Sequence, residues 1–421
     1  MTTTSNSGAP RRAFLAGLAA CAAVAVTAFT TPVASAQDTV RIGLSGPFSG
    51  GSAPMGNSMR NGIRLAVHDI NNFVGGVNGR LIELIEYDDE ANNDKGREIA
   101  HKLIEEHKVV ATIGVVNTGV AMNSIDLYQE ARVPLMVAVS TGSPITRKYA
   151  PPNAPDNYIF RVSPPTTVST AYLARHLVQL GLRRVALFAD DTGYGEAEKA
   201  DFVAALASHG LEPVVIERFA IGDRDMKAQL ERAIAADADV AVMYGIGPEL
   251  AAIARGRAEL GWQVPLFGGW TVSMRNFLDA AGEAGNGVFT VNTFIPGGEN
   301  MRHKLFMESY EQQFGKDAME SAMSAAQGYD AMRLLYNGMA LADGFDGQAI
   351  RQALENLGGR GVEGVVTTYM NPFTAADHDA ITDNMLVVGV VRDGRITYAF
   401  EEDARRSHAI RHKRIEPSTA K

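Results

Sequence analysis

Short β-branched runs alternate with helical apolar patterns through most of this chain, and the series runs through twice. Val40-Arg41-Ile42-Gly43-Leu44 reads as a strand, and Ile63, Val67 and Ile70 then recur at helical spacing through residues 57–72. Strands follow at 81–85, 109–113 and 135–139, with helices marked by Ile99, Leu103 and Ile104 and by the stretch after Thr118. This order calls for a parallel sheet covered by helices on both faces. Prolines at 144, 151, 152, 155 and 164, among others, then interrupt the pattern, so 143–165 reads as a loop. The rhythm restarts with strands at 184–188, 214–216, 240–243 and 266–267, and Pro248 suits the first turn of a helix. Residues 301–357 read as helices, and Asp393-Gly394 as the turn of a closing hairpin. The expectation is therefore α/β, with two successive units of similar size.

The first 36 residues have a different character. Arg11-Arg12 precede Phe14-Leu15, an apolar run reaches Phe29, and Ala34-Ser35-Ala36 offers a small-residue cleavage site. The paired arginines resemble a twin-arginine export signal, although a general secretory signal with two adjacent charges has the same form. Leu18-Ala19-Ala20-Cys21 gives a second reading, a lipoprotein processing box at the chain's one cysteine. Cleavage after Ala36 would leave 385 of 421 residues, no cysteine, and a formal charge of −11 where the full chain has −9. So acidic a chain is a poor match to nucleic acid, whose binding needs a cationic surface. Residues 401–421, with Arg405, Arg406, Arg411, Lys413 and Arg414, read as a solvated charged tail, or as a basic contact surface.

Tests for catalytic chemistry return little. Gly114–Gly119 has the glycine spacing of a phosphate loop, but Val120-Ala121 stands where lysine and a hydroxyl residue should follow. Gly245 and Gly247 lack the third glycine of a dinucleotide fingerprint, and no Gly-x-Ser-x-Gly elbow occurs. Asp377-His378-Asp379 is the densest cluster of candidate metal ligands, but it has no second histidine at ligand spacing and reads as a solvated loop. Asp88-Asp89-Glu90 and Asp190-Asp191 stand at strand ends, where acids satisfy helix N–H groups more often than they do acid–base work. No enzyme activity, metal or cofactor is expected.

What remains is a set of polar turns at strand ends, where open parallel sheets bind ligands. They are Ser45-Gly46-Pro47, Asn117-Thr118-Gly119 and Ser140-Thr141-Gly142-Ser143 in the first unit, and Thr192-Gly193-Tyr194 and Gly269-Trp270-Thr271 in the second. Hydroxyls and free N–H groups at helix starts suit a carboxylate, and Tyr194 and Trp270 offer flat walls. Each turn alone is ordinary; the set, split between two units, suggests a cleft.

In this order behind an export signal, these turns resemble the Leu/Ile/Val-binding family of periplasmic solute receptors. The resemblance covers about residues 38–400. It rests on Gly43–Pro47, Ala66–Asn71, Gly75–Gly79, Tyr87-Asp88-Asp89, Ile113-Gly114, Ser140–Pro144, Phe160-Arg161, Gly193-Tyr194-Gly195, Gly247-Pro248-Glu249 and Gly328–Ala331. It implies a two-lobed type I periplasmic-binding fold. Lobe 1 would hold 38–162 plus 293–366, and lobe 2 would hold 164–290 plus 369–400. Three crossovers would fall near Val162–Pro164, Thr290–Thr293 and Val366–Tyr369. It also implies capture of a solute by hinged closure, an ABC permease with its ATPase subunits as partners, and a periplasmic location. A ligand sensor on the same fold is the alternative, and a monomer is expected. Carried over residue by residue, the ligand-binding set is Asn117, Thr118, Ser140, Thr141, Gly142, Tyr194 and Trp270. Gly142 replaces an expected hydroxyl, for which Thr141 or Ser143 would substitute. Trp270 stands about where the family's amino-acid binders place an acid against the ligand ammonium. Unless Asp190, Asp191 or Glu249 replaces that acid, the solute is not an α-amino acid, and a carboxylate with an aromatic or apolar body suits Trp270 better. The alternative for Trp270 is plain core packing.

Overall fold

The structure is a computed structural model that describes residues 39–297, 300–408 and 411–414. The export-signal reading and Cys21 lie outside the described residues. Among those described, no helix is long and apolar enough to cross a membrane.

The first sheet contains β1 (Thr39–Gly46), β2 (Leu81–Asp88), β3 (Ala111–Gly114), β4 (Leu135–Val137) and β5 (Ile159–Arg161) in the order β2-β1-β3-β4-β5, all parallel. Alternate residues feed opposite faces. Ile42, Leu44 and Met136 join the core formed with α1 (Ala53–Asp69) and α11 (Ala322–Leu341). Leu135, Val137 and Ile159 face the core of α3 (Thr118–Ala131), beside α2 (Asn93–His101). Two glycines let α1 and α11 approach closely: a Cβ on Gly62 would collide with Ala325 O, and one on Gly328 with Met59 O. The loop expected over 143–165 holds the short α4 (Pro144–Arg147) and the edge strand β5. Three residues among prolines are too few to show strand periodicity.

The second sheet contains β6 (Val185–Asp190), β7 (Val215–Phe219), β8 (Val240–Tyr244), β9 (Leu266–Gly268), β10 (Phe289–Asn292), β13 (Val387–Arg392) and β14 (Arg395–Tyr398). Its order is β14-β13-β10-β9-β8-β6-β7, parallel except for the hairpin β13–β14, which pairs antiparallel to β10. Val185, Leu187, Val240 and Val242 share a core with Leu173 and Leu177 of α5 (Thr166–Gln179) and Phe202 and Leu206 of α6 (Gly193–Ala207). Ala186, Phe188, Ala241 and Met243 meet Leu230 of α7 (Lys227–Ala235), Leu250 and Ile253 of α8 (Gly247–Glu259) and Phe277 of α9 (Arg275–Ala281) on the other face.

The chain passes from β5 into α5 at 162–165, and from β10 back to α10 (Met301–Phe314) after Asn292. α12 (Gly347–Glu355) and the small hairpin β11 (Val362–Glu363) and β12 (Thr368–Tyr369) follow on the first sheet's side. Asp330 of α11 holds that hairpin, accepting from the backbone N–H groups of Val365 and Val366 and from the Tyr369 hydroxyl. The third passage comes later than Val366–Tyr369. Residues up to Ala380 still run beside β5, with Arg161 N donating to His378 O and Ala380 N to Arg161 O, both at 2.9 Å.

Two expectations of solvated segments are corrected. His378 is buried, stacked on Phe160 with ring centroids 4.0 Å apart, and Asp379 pairs with Arg161. The charged tail stays solvated over α13 (Glu401–Arg405), none of whose residues is buried, but residues 411–414 dock with the Lys413 side chain buried.

Interlobe cleft at the strand ends

A cleft of about 800 Å³ opens between the carboxyl ends of the two sheets. From the first sheet's side it is lined by Gly51-Ser52, 90–94 and Asn117-Thr118-Gly119, and from the second by 191–194, Ile221, Gly222, Arg224, Ile246, Pro248 and Glu249. Helix starts therefore face it from both sides, and they are not equivalent. Thr192 caps α6, its hydroxyl accepting from Tyr194 N and Gly195 N, while Asn92 caps α2. α3 and α8 have no side-chain cap. The first N–H groups of α3 are left for solvent or for an anion, with the helix dipole favouring negative charge, whereas in α8 Pro248 has no N–H and Glu249 N donates to Ile246 O at 3.3 Å.

Asn117, Thr118 and Tyr194 of the expected set line this cleft. Asn117 Nδ2 donates to Ser52 Oγ at 3.1 Å. Ser140, Thr141, Gly142 and Trp270 do not line it; they are buried around it. Ser140 Oγ donates to Thr118 Oγ1 at 3.2 Å, and Gly142 lies so close to the Thr118 methyl that no Cβ would fit. That contact excludes the hydroxyl residue expected at 142. Trp270 is 5% exposed and shares the apolar cluster of Tyr194, Tyr244 and Ile246. The Thr141 hydroxyl and the Trp270 indole N–H are buried without a partner, as are Asn117 Oδ1 and Asp190 Oδ2. Buried polar groups are normally satisfied, so these orphans around one cleft need an explanation.

Each of the acids weighed as a replacement at Trp270 has a definite setting. Asp190 accepts at Oδ1 from Thr192 N, Thr192 Oγ1 and Gly195 N; burial nevertheless pushes its carboxyl up to about 6. Glu249 accepts from Gly222 N at 2.8 Å and pairs with Arg224 at 3.2 Å. Asp191 lines the cleft and is exposed. Asp89, at the end of β2, accepts from Ser45 Oγ and Ala91 N, and its burial raises it to about 6.

Sequence reasoning missed Glu198. It lies one helical turn beyond Tyr194 and one before Phe202, on the buried stripe of α6, and is 1% exposed. Burial, with the charge of Asp201 adding to it, holds its carboxyl well above the usual range, against the opposing effect of a hydrogen bond from Tyr194. The i, i+4, i+8 spacing from Tyr194 was the available signal.

The two sides of the cleft touch. A Cβ on Gly193 would stand 3.0 Å from Gly119 N. Arg275 N donates to Glu320 O at 2.8 Å, and Asn276 Nδ2 to Gly51 O at 3.3 Å. Among the described residues no group of three or more His, Cys, Asp or Glu is placed to hold a metal ion.

Residues 39–395 match the family model described as "Periplasmic binding protein". The leucine-, isoleucine-, valine-, threonine- and alanine-binding protein of Pseudomonas aeruginosa is 24% identical over 340 residues, 79% of this chain and 86% of that protein. Among solved structures, a type 1 periplasmic binding protein from Bordetella pertussis superposes with a TM-score of 0.78 at 25% identity, covering 86% of this chain and 99% of that one. A solute-binding protein of an ABC transporter from R. palustris, in complex with benzoate, gives 0.74 at 24% identity, with 86% and 95% covered. With two helix-flanked, largely parallel sheets meeting at a cleft of strand ends, and with the family match running from β1 into β14, this chain belongs to the periplasmic binding protein family.

Proposed function

We propose that the chain captures a small carboxylate-bearing solute in the periplasm and presents it to an ABC permease and its ATPase subunits, acting as a monomer. The observation that carries this reading is the uncapped start of α3, where Thr118 faces the capped start of α6 across the cleft. The α3 amides and the Thr118 hydroxyl would receive the carboxylate. Tyr194 would close from the other side, and the two lobes would hinge at the passages between the sheets. Ligand contacts with both sides favour the closed arrangement over the open one.

Relatives named for leucine, isoleucine and valine, and one structure holding benzoate, support two solute classes: aliphatic amino acids and aromatic acids. The sequence position of Trp270 favours the second: it stands about where the family's amino-acid binders place an acid, although its side chain is buried in the cluster of Tyr194 and does not itself line the cleft.

A thermal-shift screen of the mature protein tests this, with branched-chain and aromatic amino acids, their deaminated counterparts and benzoates. A solute at 100 times its Kd should add about 2.7 kcal/mol of stability. Preference for amino acids over their deaminated counterparts would refute the reading of Trp270. Thr118→Ala removes a hydrogen bond to a charged group, worth about 1.5–3 kcal/mol, so Kd should rise roughly ten- to a hundredfold. Tyr194→Ala should weaken binding comparably. Unchanged affinity by calorimetry in both variants would remove these residues from the site.

Closure makes a separate prediction. Gly193→Leu places a side chain against Gly119 on the facing lobe. The protein should fold, yet bind the screened solute at least tenfold more weakly, because the competent closed state is depopulated. Wild-type affinity in Gly193→Leu would contradict closure at this contact.

A further inference from the structure

The family match ends at residue 395, and the chain continues beyond it. Phe400 packs against His176 of α5 with ring centroids 5.4 Å apart, and Ser407 O accepts from Asn300 Nδ2 at 2.7 Å. Residues 411–414 then lie along the segment joining β12 to β13. Arg411 O accepts from Thr367 Oγ1 at 2.5 Å, His412 O from Asn384 Nδ2 at 2.8 Å, and Arg414 N donates to Thr382 Oγ1 at 3.1 Å.

Lys413 is the centre of this contact. Its side chain is 6% exposed. Nζ donates to Pro372 O at 2.8 Å and Asp379 O at 2.5 Å, and pairs with the Asp377 carboxylate at 2.7 Å. Three acceptors use all the protons of an ammonium. Asp379 passes the constraint on. Its Oδ1 accepts from Arg161 Nε at 2.7 Å, and Arg161 Nη1 donates to Thr141 O at 2.9 Å and Gly142 O at 2.6 Å. A continuous path of charge-assisted hydrogen bonds thus joins the tail to the turn that packs on Thr118. Such a path is stiff, because its two cations, Arg161 and Lys413, are buried and would be stranded if their links broke.

We propose that Lys413 is a positioning residue for the turn 140–142, acting through Asp377–Asp379 and Arg161. The tail beyond the shared family chain thereby sets how firmly that turn is held. This rests on the reading that the turn belongs to the solute site; Lys413 itself is not among the residues lining the cleft.

Hydrogen exchange on the full mature chain tests it, comparing wild type, Lys413→Met and Lys413→Arg. Methionine keeps an unbranched stem and removes the ammonium. The reporting amides are hydrogen-bonded in the native protein: Ser140 N to Val115 O, Ser143 N to Thr166 Oγ1 and Ala380 N to Arg161 O. Lys413→Met should speed exchange across 140–143 and at Ala380 about tenfold, while the β8 amides hold their rate and Lys413→Arg stays near wild type. Unchanged exchange across 140–143 overturns the proposal. Uniform acceleration that includes β8 also overturns it, since that marks general loss of stability. If Lys413→Met does not fold, Lys413→Gln takes its place under the same two criteria. The readout needs no solute, so its failure is distinct from failure of the Thr118 and Tyr194 test.

Discussion

Arg161→Ala should destabilise the protein by about 3–5 kcal/mol, the range for removing one partner from a buried charged network. Arg161 is fully buried. Its guanidinium meets the Asp379 carboxylate, the Thr146 hydroxyl at 3.0 Å and the carbonyls of Thr141 and Gly142. Alanine would leave those carbonyls unpaired in the interior. Lysine should recover only part of the loss, because one ammonium cannot reproduce a planar fork reaching four acceptors. Urea unfolding of the three proteins checks this. A loss below about 1 kcal/mol for Arg161→Ala would mean that the network contributes little to stability.

The second large effect is a pH dependence centred on Glu198. Its folded-state pKa is raised well above the ordinary 4.5, by burial first and the Asp201 charge second. The unfolded chain releases this proton above about pH 4.5, whereas the folded chain keeps it until a higher pH. Folding therefore takes up a proton in that window, and its equilibrium constant falls about tenfold per pH unit for this group. Below the unfolded value the penalty is absent. Glu198→Gln, which has no proton to hold, should match wild type most closely near pH 4 and become progressively more stable relative to it toward pH 7. Urea midpoints for both proteins at several pH values measure the divergence. A constant difference across that range would show that Glu198 ionises normally in the folded chain.

Arg161 also marks where the sequence stops being legible. The alternation of strand and helix was readable because buried parallel strands are continuous apolar runs, as in Val240–Tyr244, and the helices keep their apolar period. The polar turns were readable as strand ends, and Asn117, Thr118 and Tyr194 do line one cleft. Ser140, Thr141, Gly142 and Trp270 read as ligand-binding residues, with core packing as the alternative for Trp270 alone; their burial beside the cleft was not legible, because it depends on how two sheets meet. Arg161 and Asp379 are 218 positions apart, and no local pattern pairs them. For the same reason Asp377-His378-Asp379 and Lys413 read as solvated, since charged residues are seldom buried unless a distant partner waits for them. Glu198 differs. It sits at helical spacing between Tyr194 and Phe202, so the stripe of α6 carried the signal.

The central claim is that two lobes close on one guest. Small-angle scattering, on the protein alone and with the carboxylate that gives the largest thermal shift, measures it directly. The account predicts a smaller radius of gyration with the solute bound than without it. Superimposable curves at saturating solute, with binding verified by calorimetry, would contradict it.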